Sequence, residues 1–196
     1  KDEPFVVVDC SNMLPFMKGS MLFGQEESAF PGAKAYKGKL ETVRNGTLFL
    51  DHVDALYHGL QEMLIPVIKE KRFQRIGGKA DIPLEARIVS ATNEGLAHLV
   101  SQGGFILGLY NQLNELHMEV PSLRERKEDI PLLVDHFIRE NWNRKKRGPK
   151  GISEEAMKRL MRHNWPGNVL ELKGRIEVGC TFADQKLIMT DHIVGI

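Results

Sequence analysis

Short apolar runs recur along the first 130 residues, separated by segments with helical spacing or with glycine. Runs of this length predict strands of a sheet. The predicted strands are Phe5–Val8, Thr47–Leu50, Arg87–Ser90 and the stretch around Leu116–Val120. The first run is apolar throughout, so we expect a buried strand. Strands that alternate with helices predict an α/β fold.

Helical patterns lie between and after these strands. Ala55–Lys71 carries apolar residues at helical spacing, and Pro66 inside it is expected to kink or end the helix because proline has no backbone N–H. Beyond Pro131 the strand pattern stops. The helices predicted there are Ile130–Asn143, a helix N-capped by Ser153, and Asn168–Ala183. We therefore expect an α/β core over residues 1–130 and a small helical domain over residues 131–196.

Composition supports a folded protein without strong electrostatic partners. The 196 residues are 42% hydrophobic and carry 27 Lys and Arg against 26 Asp and Glu, so the net charge is +1. This balance gives no overall reason to expect nucleic-acid or membrane binding. Cys10 and Cys180 lie far apart, which favours a reducing, cytoplasmic compartment. No apolar run approaches the roughly 18 residues of a membrane span, and the start lacks a signal peptide and an initiator Met, so it is expected to be a cut end.

Polar residues at the ends of two predicted strands are the candidate catalytic or ligand-binding residues. Gly46–Asp51 is a turn and an apolar strand that ends in a carboxylate, which is how a buried strand delivers an acid to the ligand edge of a sheet. Asp51 in that place is able to hold Mg²⁺ through water beside a nucleotide. Asn93 follows another strand and is able to orient a water or a phosphate. The alternative is structural: Asp51 caps the next helix and Asn93 braces the sheet edge.

Two charged runs are interpreted as solvated. Asn143–Gly151 is a basic loop with glycine and proline, and short basic runs of this kind are more often linkers than binding patches. Leu123–Ile130 is dense in both signs of charge, which is typical of an exposed face.

Taken in order, several segments resemble the AAA+ domain of sigma-54-dependent transcription activators. The matching segments are Leu22–Ala33, which is similar to the family's loop signature GAFTGA, Gly46–Asp51 (Walker B), Phe73–Gly78, Arg87–Asn93 (sensor I), Pro121–Ile130 and Trp165–Val169 (sensor II). The resemblance covers essentially the whole chain in the family's order and spacing.

The resemblance implies an α/β AAA+ core with a parallel sheet and a C-terminal helical lid. It also implies ATP and Mg²⁺ as cofactors, self-association into a dimer or ring, sigma-54 RNA polymerase as partner, and DNA contact only through a domain outside this chain. Asp51 and Asn93 match the family's catalytic and nucleotide-binding positions. The residues that match its sigma-factor loop are Ser28, Ala29, Phe30, Pro31, Gly32 and Ala33.

The departures from the family are concentrated at charged positions. His52 stands where the family has a catalytic Glu, and Asp9 where it has the Asn that restrains that Glu. Ile106 and Gln112 replace two Arg that reach a neighbouring subunit's nucleotide, and Leu170 replaces the sensor II Arg, a nucleotide-binding position. A trans-acting arginine contributes on the order of 10³–10⁵ in rate, so ATP hydrolysis is expected to be lost or strongly impaired.

Two further departures affect binding. A Walker A loop would lie before residue 1, so nucleotide binding by this chain alone is doubtful. In the sigma-factor loop, Ser28 replaces a Gly and Pro31 replaces the Thr, which removes a flexible position, a hydroxyl and an N–H.

Three hypotheses follow for function. The first is a pseudo-ATPase regulatory module kept for self-association or for coupling between domains. The second is an active ATP-dependent activator of sigma-54 RNA polymerase whose P-loop lies outside this chain and in which His52 compensates for the lost Glu. The third is a DNA-binding repressor whose central domain only oligomerises, which requires a helix-turn-helix beyond Ile196.

Overall fold

A computed structural model of the chain describes residues 3–12, 18–183 and 186–193. The chain divides into two compact units, Lys1–His117 and Met118–Ile196. The first unit contains the sheet and the second is mainly helical. The boundary expected at residue 130, between the α/β core and the helical domain, stays a prediction.

The elements follow one another in an alternating order. Strands β1 to β9 are Phe5–Asp9, Gly24–Gln25, Tyr36–Lys37, Thr47–Asp51, Arg72–Phe73, Ile82–Pro83, Arg87–Ser90, Gly151–Ile152 and Leu187–Ile188. Helices α1 to α8 are Lys18–Phe23, Lys39–Thr42, His58–Glu70, Leu96–Ser101, Leu107–Leu113, Ile130–Lys145, Glu154–Arg162 and Asn168–Phe182. Short 3₁₀ turns span Val53–Ala55, Leu123–Glu125, Lys127–Asp129 and Thr190–His192.

A parallel sheet of β1, β4 and β7, with β4 in the middle, forms the centre of the first unit. Leu48 and Leu50 of β4 are fully buried on one face of this sheet. Leu60 and Leu64 of α3 are buried in the same core, because the apolar stripe of that helix faces inward. The prediction of an α/β fold with a parallel sheet is confirmed.

Strand β1 is covered on one face only. Val8 is buried, whereas Phe5 and Val7 are 64% and 55% exposed. The Phe5 ring stacks on Phe49 of β4, with centroids 6.0 Å apart. The expectation that the apolar run 5–8 is a buried strand is therefore wrong for one of its two faces, because no described residue outside the sheet covers Phe5 and Val7.

The strand predicted around Leu116–Val120 does not form. Leu116, Met118 and Val120 are 80%, 81% and 73% exposed, and no strand is assigned to residues 114–122. An alternating apolar pattern makes a strand only when a neighbouring strand supplies the hydrogen bonds. No strand among the described residues pairs with this segment.

Pro66 does not end its helix. Helix α3 continues past it to Glu70 and stops at Lys71, whose left-handed φ of 55° and N–H bond to the Val67 carbonyl (3.1 Å) form the C-terminal cap. Burial of Leu64 and Val67 on either side of the proline outweighs the one hydrogen bond that Pro66 is unable to make.

The second unit packs α6, α7 and α8 around the fully buried Trp165, whose indole N–H donates to the Leu160 carbonyl at 2.9 Å. The predicted N-cap is confirmed, because Ser153 Oγ accepts the N–H of Ala156 at 3.2 Å. Strands were not expected here, but β8 and β9 form a short parallel pair. Within the part of the chain that the structure describes, no helix has the length and apolarity that crossing a membrane requires.

Candidate functional site

The carboxyl ends of β1, β4 and β7 bring polar side chains to one edge of the sheet. Asp9 pairs with Asp51 at the ends of β1 and β4, and β7 ends at Ser90, opposite Leu50. Parallel strands present their carboxyl ends at the same edge, so Asp51 and the residues that follow β7 are neighbours. The sequence pointed to Asp51 and Asn93, and the structure places His52 between them.

His52 has an unusual backbone. Its φ and ψ are both 51°, a left-handed conformation that costs a non-glycine residue roughly 1 kcal/mol. Its N–H donates to Asp51 Oδ1 at 3.1 Å, and Val53 N–H then donates to the Ala91 carbonyl at 3.0 Å. These bonds turn the chain out of β4 and hold the imidazole at the sheet edge.

Both ring nitrogens of His52 face polar partners. Nε2 lies 3.1 Å from Asn93 Nδ2, so the amide donates, Nε2 accepts, and the ring proton is on Nδ1. Nδ1 lies 3.5 Å from Asp9 Oδ1 and 3.6 Å from Asp51 Oδ1. This nitrogen is buried and forms no hydrogen bond. The imidazole therefore has no free lone pair with which to accept a proton from water.

Asp9 keeps a negative charge beside this ring. Its carboxylate accepts the Ser11 N–H at 2.9 Å, the Ser11 hydroxyl at 2.6 Å and the Asn12 amide at 2.5 Å. These hydrogen bonds, those of Ser11 foremost, hold the pKa of Asp9 below its ordinary value. A neutral Asn at this position would carry no charge, so Asp9 changes the electrostatics of the edge and not only its hydrogen bonding.

The loop at residues 28–33 has a fixed tip. The Ala33 N–H donates to the Phe30 carbonyl at 3.0 Å, and Gly32 has a φ of 81°. Proline at the second position and a positive-φ glycine at the third are the pattern of a type II turn. Pro31 therefore does more than remove a hydroxyl, since it sets the shape of a tip on which Phe30 is 52% exposed.

The base of this loop rests on Gly77. Ser28 Oγ donates to the Gly77 carbonyl at 2.9 Å. A Cβ added at Gly77, whose φ is 75°, would lie 2.6 Å from the Ala29 Cα. Only glycine allows the loop to approach this closely. The sequence contained the segment Phe73–Gly78 as a match to the family but gave no sign that it supports the loop.

Arg75 links this support to two other elements. Its guanidinium bonds Glu41 through Nε and Nη2, both at 2.9 Å, and Glu26 through Nη1 at 3.0 Å. The side chains of Arg75 and Glu41 are only 20% and 15% exposed. Sequence reasoning missed this cluster, because its members are far apart in the chain and no local spacing signals their meeting.

Comparison with known protein families identifies the family to which this chain belongs. Residues 1–119 match the family described as the sigma-54 interaction domain, and residues 124–195 match the AAA+ ATPase lid domain. The chain belongs to the sigma-54 interaction domain family. The family resemblance inferred from the sequence is confirmed, as is the helical lid.

Similar proteins are bacterial transcription regulators and a structure that holds nucleotide. The chain is 39% identical over 98% of its length to the Nif-specific regulatory protein of Herbaspirillum seropedicae, and 41% identical over 90% to the transcriptional regulatory protein ZraR of Salmonella typhimurium. NtrX from Brucella abortus in complex with ADP has 29% identity and a TM-score of 0.88 over 98% of the chain. The chain spans 36%, 40% and 43% of these three proteins, respectively.

The other replaced positions of this sigma-54 interaction domain carry no charge. Ile106 begins α5, where its N–H donates to Gln61 Oε1 at 2.8 Å, and Gln112 lies on the same helix. Leu170 lies in the first turn of α8 and is 81% exposed. Loss of a single trans-acting guanidinium already removes about 10³ or more in rate.

At the sheet edge, Asp51, His52 and Asp9 are in close contact with one another. In the described ranges, no group of three or more His, Cys, Asp or Glu side chains is placed to hold a metal ion. Asp51 Oδ1 already accepts the His52 N–H, and the His52 ring lies between the carboxylates of Asp51 and Asp9. Where a Glu would polarise a water, the buried Nδ1 carries a hydrogen. In this arrangement neither ring nitrogen of His52 is open to a water molecule.

Proposed function

We propose that this AAA+ module of a sigma-54-type regulator works without ordinary ATP hydrolysis. It serves self-association into a dimer or ring and regulatory coupling between flanking domains. The observation that carries this proposal is that neither His52 ring nitrogen is open to water: Nε2 accepts from the Asn93 amide, and Nδ1 is buried between two carboxylates. The uncharged residues at Ile106, Gln112 and Leu170 support it, because each removes a cation from a family position.

The test is phosphate release from ATP by the protein at its natural length, with NtrX assayed in parallel. The expected rate is at least about 10³-fold below that of the relative, since two arginine positions and the base are replaced. A rate within that factor would overturn the proposal. Binding of labelled ATP and Mg²⁺ in the same preparation separates loss of hydrolysis from loss of binding, and an intact P-loop in the natural protein would favour the active alternative.

A restored variant supplies the matched control. We expect His52→Glu, Ile106→Arg, Gln112→Arg and Asp9→Asn together to raise the hydrolysis rate, because they return the base, two guanidinium groups and the neutral amide. The same variant with Gln in place of Glu at residue 52 has similar size but no base, and its rate is expected to stay low.

Contact with sigma-54 RNA polymerase is a second proposal, favoured by the shape of the loop at residues 28–33. Phe30 stays exposed on a turn fixed by Pro31 and Gly32, which presents an aromatic anchor without disorder. We expect Phe30→Ala to weaken sigma-54 binding by about 10-fold or more. Tyr57→Ala is the control, because Tyr57 is similarly exposed at 46% in the same unit and lies outside the loop. Equal effects of the two substitutions would contradict the proposal.

A further inference from the structure

A basic run of the second unit is held in place by the fold. Residues 143–150 include five Lys or Arg and no Asp or Glu, and the sequence favoured a solvated linker. In the structure this run joins α6 to β8 within one compact unit. Lys146 ends α6 with its N–H bonded to the Trp142 carbonyl at 2.7 Å, and Pro149 is buried. The charged side chains between these points therefore project from an ordered turn.

The fold also brings a distant lysine to this run. The backbone N–H of Lys150 donates to the Lys186 carbonyl at 2.8 Å, immediately before β8 pairs with β9. A Cβ added at Gly148 would lie 3.5 Å from the Cys180 carbonyl oxygen, so the turn rests on the end of α8. Cations from two separate parts of the sequence therefore share one surface.

Two cations of the run have structural partners. Arg144 lies 3.3 Å from Glu177, and Lys145 Nζ lies 3.4 Å from Thr181 Oγ1. Both also lie in the last turn of α6, where a positive charge interacts favourably with the helix dipole. Contacts within the second unit therefore account for Arg144 and Lys145, and no ligand is needed to explain them.

Four exposed cations remain, and together we call them the basic turn: Lys146, Arg147, Lys150 and Lys186. The ion pairs described for the second unit all involve other residues, and Asp184 lies outside the described residues. Lys150 Nζ lies 4.4 Å from the centroid of the Trp142 ring, which orients the ammonium group and leaves its charge in place. Crowded like charges repel, so four uncompensated cations on an ordered surface indicate an anionic partner.

We propose that the basic turn binds the phosphate backbone of duplex DNA and does not read the base sequence. Phosphates are closely spaced along a duplex, and surface Lys and Arg side chains contact them and release counterions. The inference rests on the proposed function in one respect, which is that a transcription regulator works beside DNA. ATP hydrolysis does not enter it, so the two proposals fail independently. It adds a contact within this chain to the DNA contact that the family resemblance places in another domain.

An anionic membrane surface is the alternative partner. Surfaces that bind membranes combine cations with apolar side chains that enter the lipid. Within the turn itself, Pro149 is buried and Trp142 is half-buried beneath Lys150, so DNA is favoured. Leu187, beside Lys186, is 44% exposed, and anionic vesicles are therefore included in the test.

The test measures binding of the protein at its natural length to a fluorescent duplex of arbitrary sequence, by anisotropy over a range of salt concentrations. The basic-turn variant carries Lys146→Gln, Arg147→Gln and Lys186→Gln. We expect it to bind about 10-fold or more weakly at about 0.1 M salt. The slope of log affinity against log salt should become shallower by about 2 to 3 for each chain that contacts the duplex. Any DNA contact made by another domain is the same in both proteins.

A matched control variant carries Arg139→Gln, Lys158→Gln and Arg162→Gln. These residues lie on α6 and α7 of the same unit, outside the basic turn. The control variant has the same net charge as the basic-turn variant, so a difference between the two reports the position of the charges. Its affinity and salt slope should stay close to those of the unsubstituted protein.

Two results would overturn the proposal. One is an equal affinity and salt slope for the basic-turn and control variants. The other is weakened binding of the basic-turn variant to phosphatidylglycerol vesicles with DNA binding unchanged, which would assign the surface to a membrane. Exchanging the cations, Lys146→Arg, Arg147→Lys and Lys186→Arg, keeps the charge and should keep the slope. Circular dichroism shows whether each variant is folded, and Arg147→Gln alone, expected to reduce the slope by about 1, replaces a triple variant that unfolds.

Discussion

His52 Nδ1 lies 3.5 Å from Asp9 Oδ1, across the paired ends of β4 and β1. The resemblance drawn from the sequence implies a Glu and an Asn at these two positions, where a carboxylate would face an amide; here the histidine N–H faces a carboxylate. The replacements are therefore matched to each other, and changing one alone should disturb the edge.

We predict that His52→Glu by itself lowers the free energy of unfolding at neutral pH. The new carboxylate would lie close to those of Asp9 and Asp51, and like charges at this separation repel. Asp9→Asn added to His52→Glu should recover part of the loss. Urea denaturation of the four proteins in a double-mutant cycle, at low and high salt, measures the coupling. Additive effects at both salt concentrations would contradict the matched pair.

Arg75→Ala is expected to cost about 1.5–3 kcal/mol of unfolding free energy, because it removes two charge-assisted hydrogen bonds from the largely buried Glu41 and leaves it only the exposed Lys37 as a cationic partner. Arg75→Lys should recover only part, since an ammonium lacks the fork that bonds Glu41 twice. Arg72→Ala is the control: the side chains of Arg72, Glu70 and Asp81 are 56%, 46% and 51% exposed, so these ion pairs should contribute about 1 kcal/mol or less. Chemical denaturation gives all three values, and equal losses at Arg72 and Arg75 would refute the assignment.

Glu41 should make stability depend on pH in the acid range. Burial raises the pKa of Glu41, but hydrogen bonds from Lys37 and Arg75 and their charges outweigh burial and bring the pKa below its ordinary value of 4.5. A depressed folded pKa means that the stabilisation is complete above pH 4.5 and is lost as pH falls through the lower folded value. The gap in urea midpoint between the protein and Glu41→Gln should therefore be constant above pH 4.5 and narrow as the pH falls below that value. A similar narrowing for the exposed Glu85→Gln would point to general acid unfolding.

The elements set by local patterns could be predicted from the sequence. Strands β4 and β7, the Ser153 cap and helix α8 agree with their apolar spacing to within a residue or two. The absence of a strand around Leu116–Val120 could not be predicted, because strand formation depends on a neighbouring strand, which the local pattern does not reveal. Only part of the candidate site could be predicted from the sequence. Asp51 and Asn93 were found because they follow predicted strands, whereas the proximity of Asp9 and His52 depends on the register of β1 and β4.

Gly77→Ala should destabilise the first unit more than Gly103→Ala does. Both glycines have nearly the same positive φ, 75° and 74°, so the backbone penalty of roughly 1–2 kcal/mol is shared. A Cβ at Gly103 meets nothing within 4 Å, whereas one at Gly77 collides with the Ala29 backbone and adds about 1–3 kcal/mol. Thermal or urea unfolding gives the difference. Equal losses would show that the loop at residues 28–33 does not rest on Gly77.

Loop rigidity is expected to depend on Pro31. Pro31→Thr should speed hydrogen–deuterium exchange at the Ala33 N–H, because the turn that bonds it to the Phe30 carbonyl loses its fixed φ. Exchange at the Ala29 N–H, which bonds the Glu26 carbonyl, serves as the internal reference. Unchanged protection at Ala33 would mean that Gly32 alone maintains the turn.

Phe5 and Val7 leave part of one face of the sheet apolar and exposed. Parallel sheets are normally covered on both faces, and an exposed apolar patch promotes association between molecules. A surface of this kind would thus favour aggregation and the binding of hydrophobic dyes. Apolar ligands would also adsorb to it, so their titration would not report on the sheet edge at His52 alone.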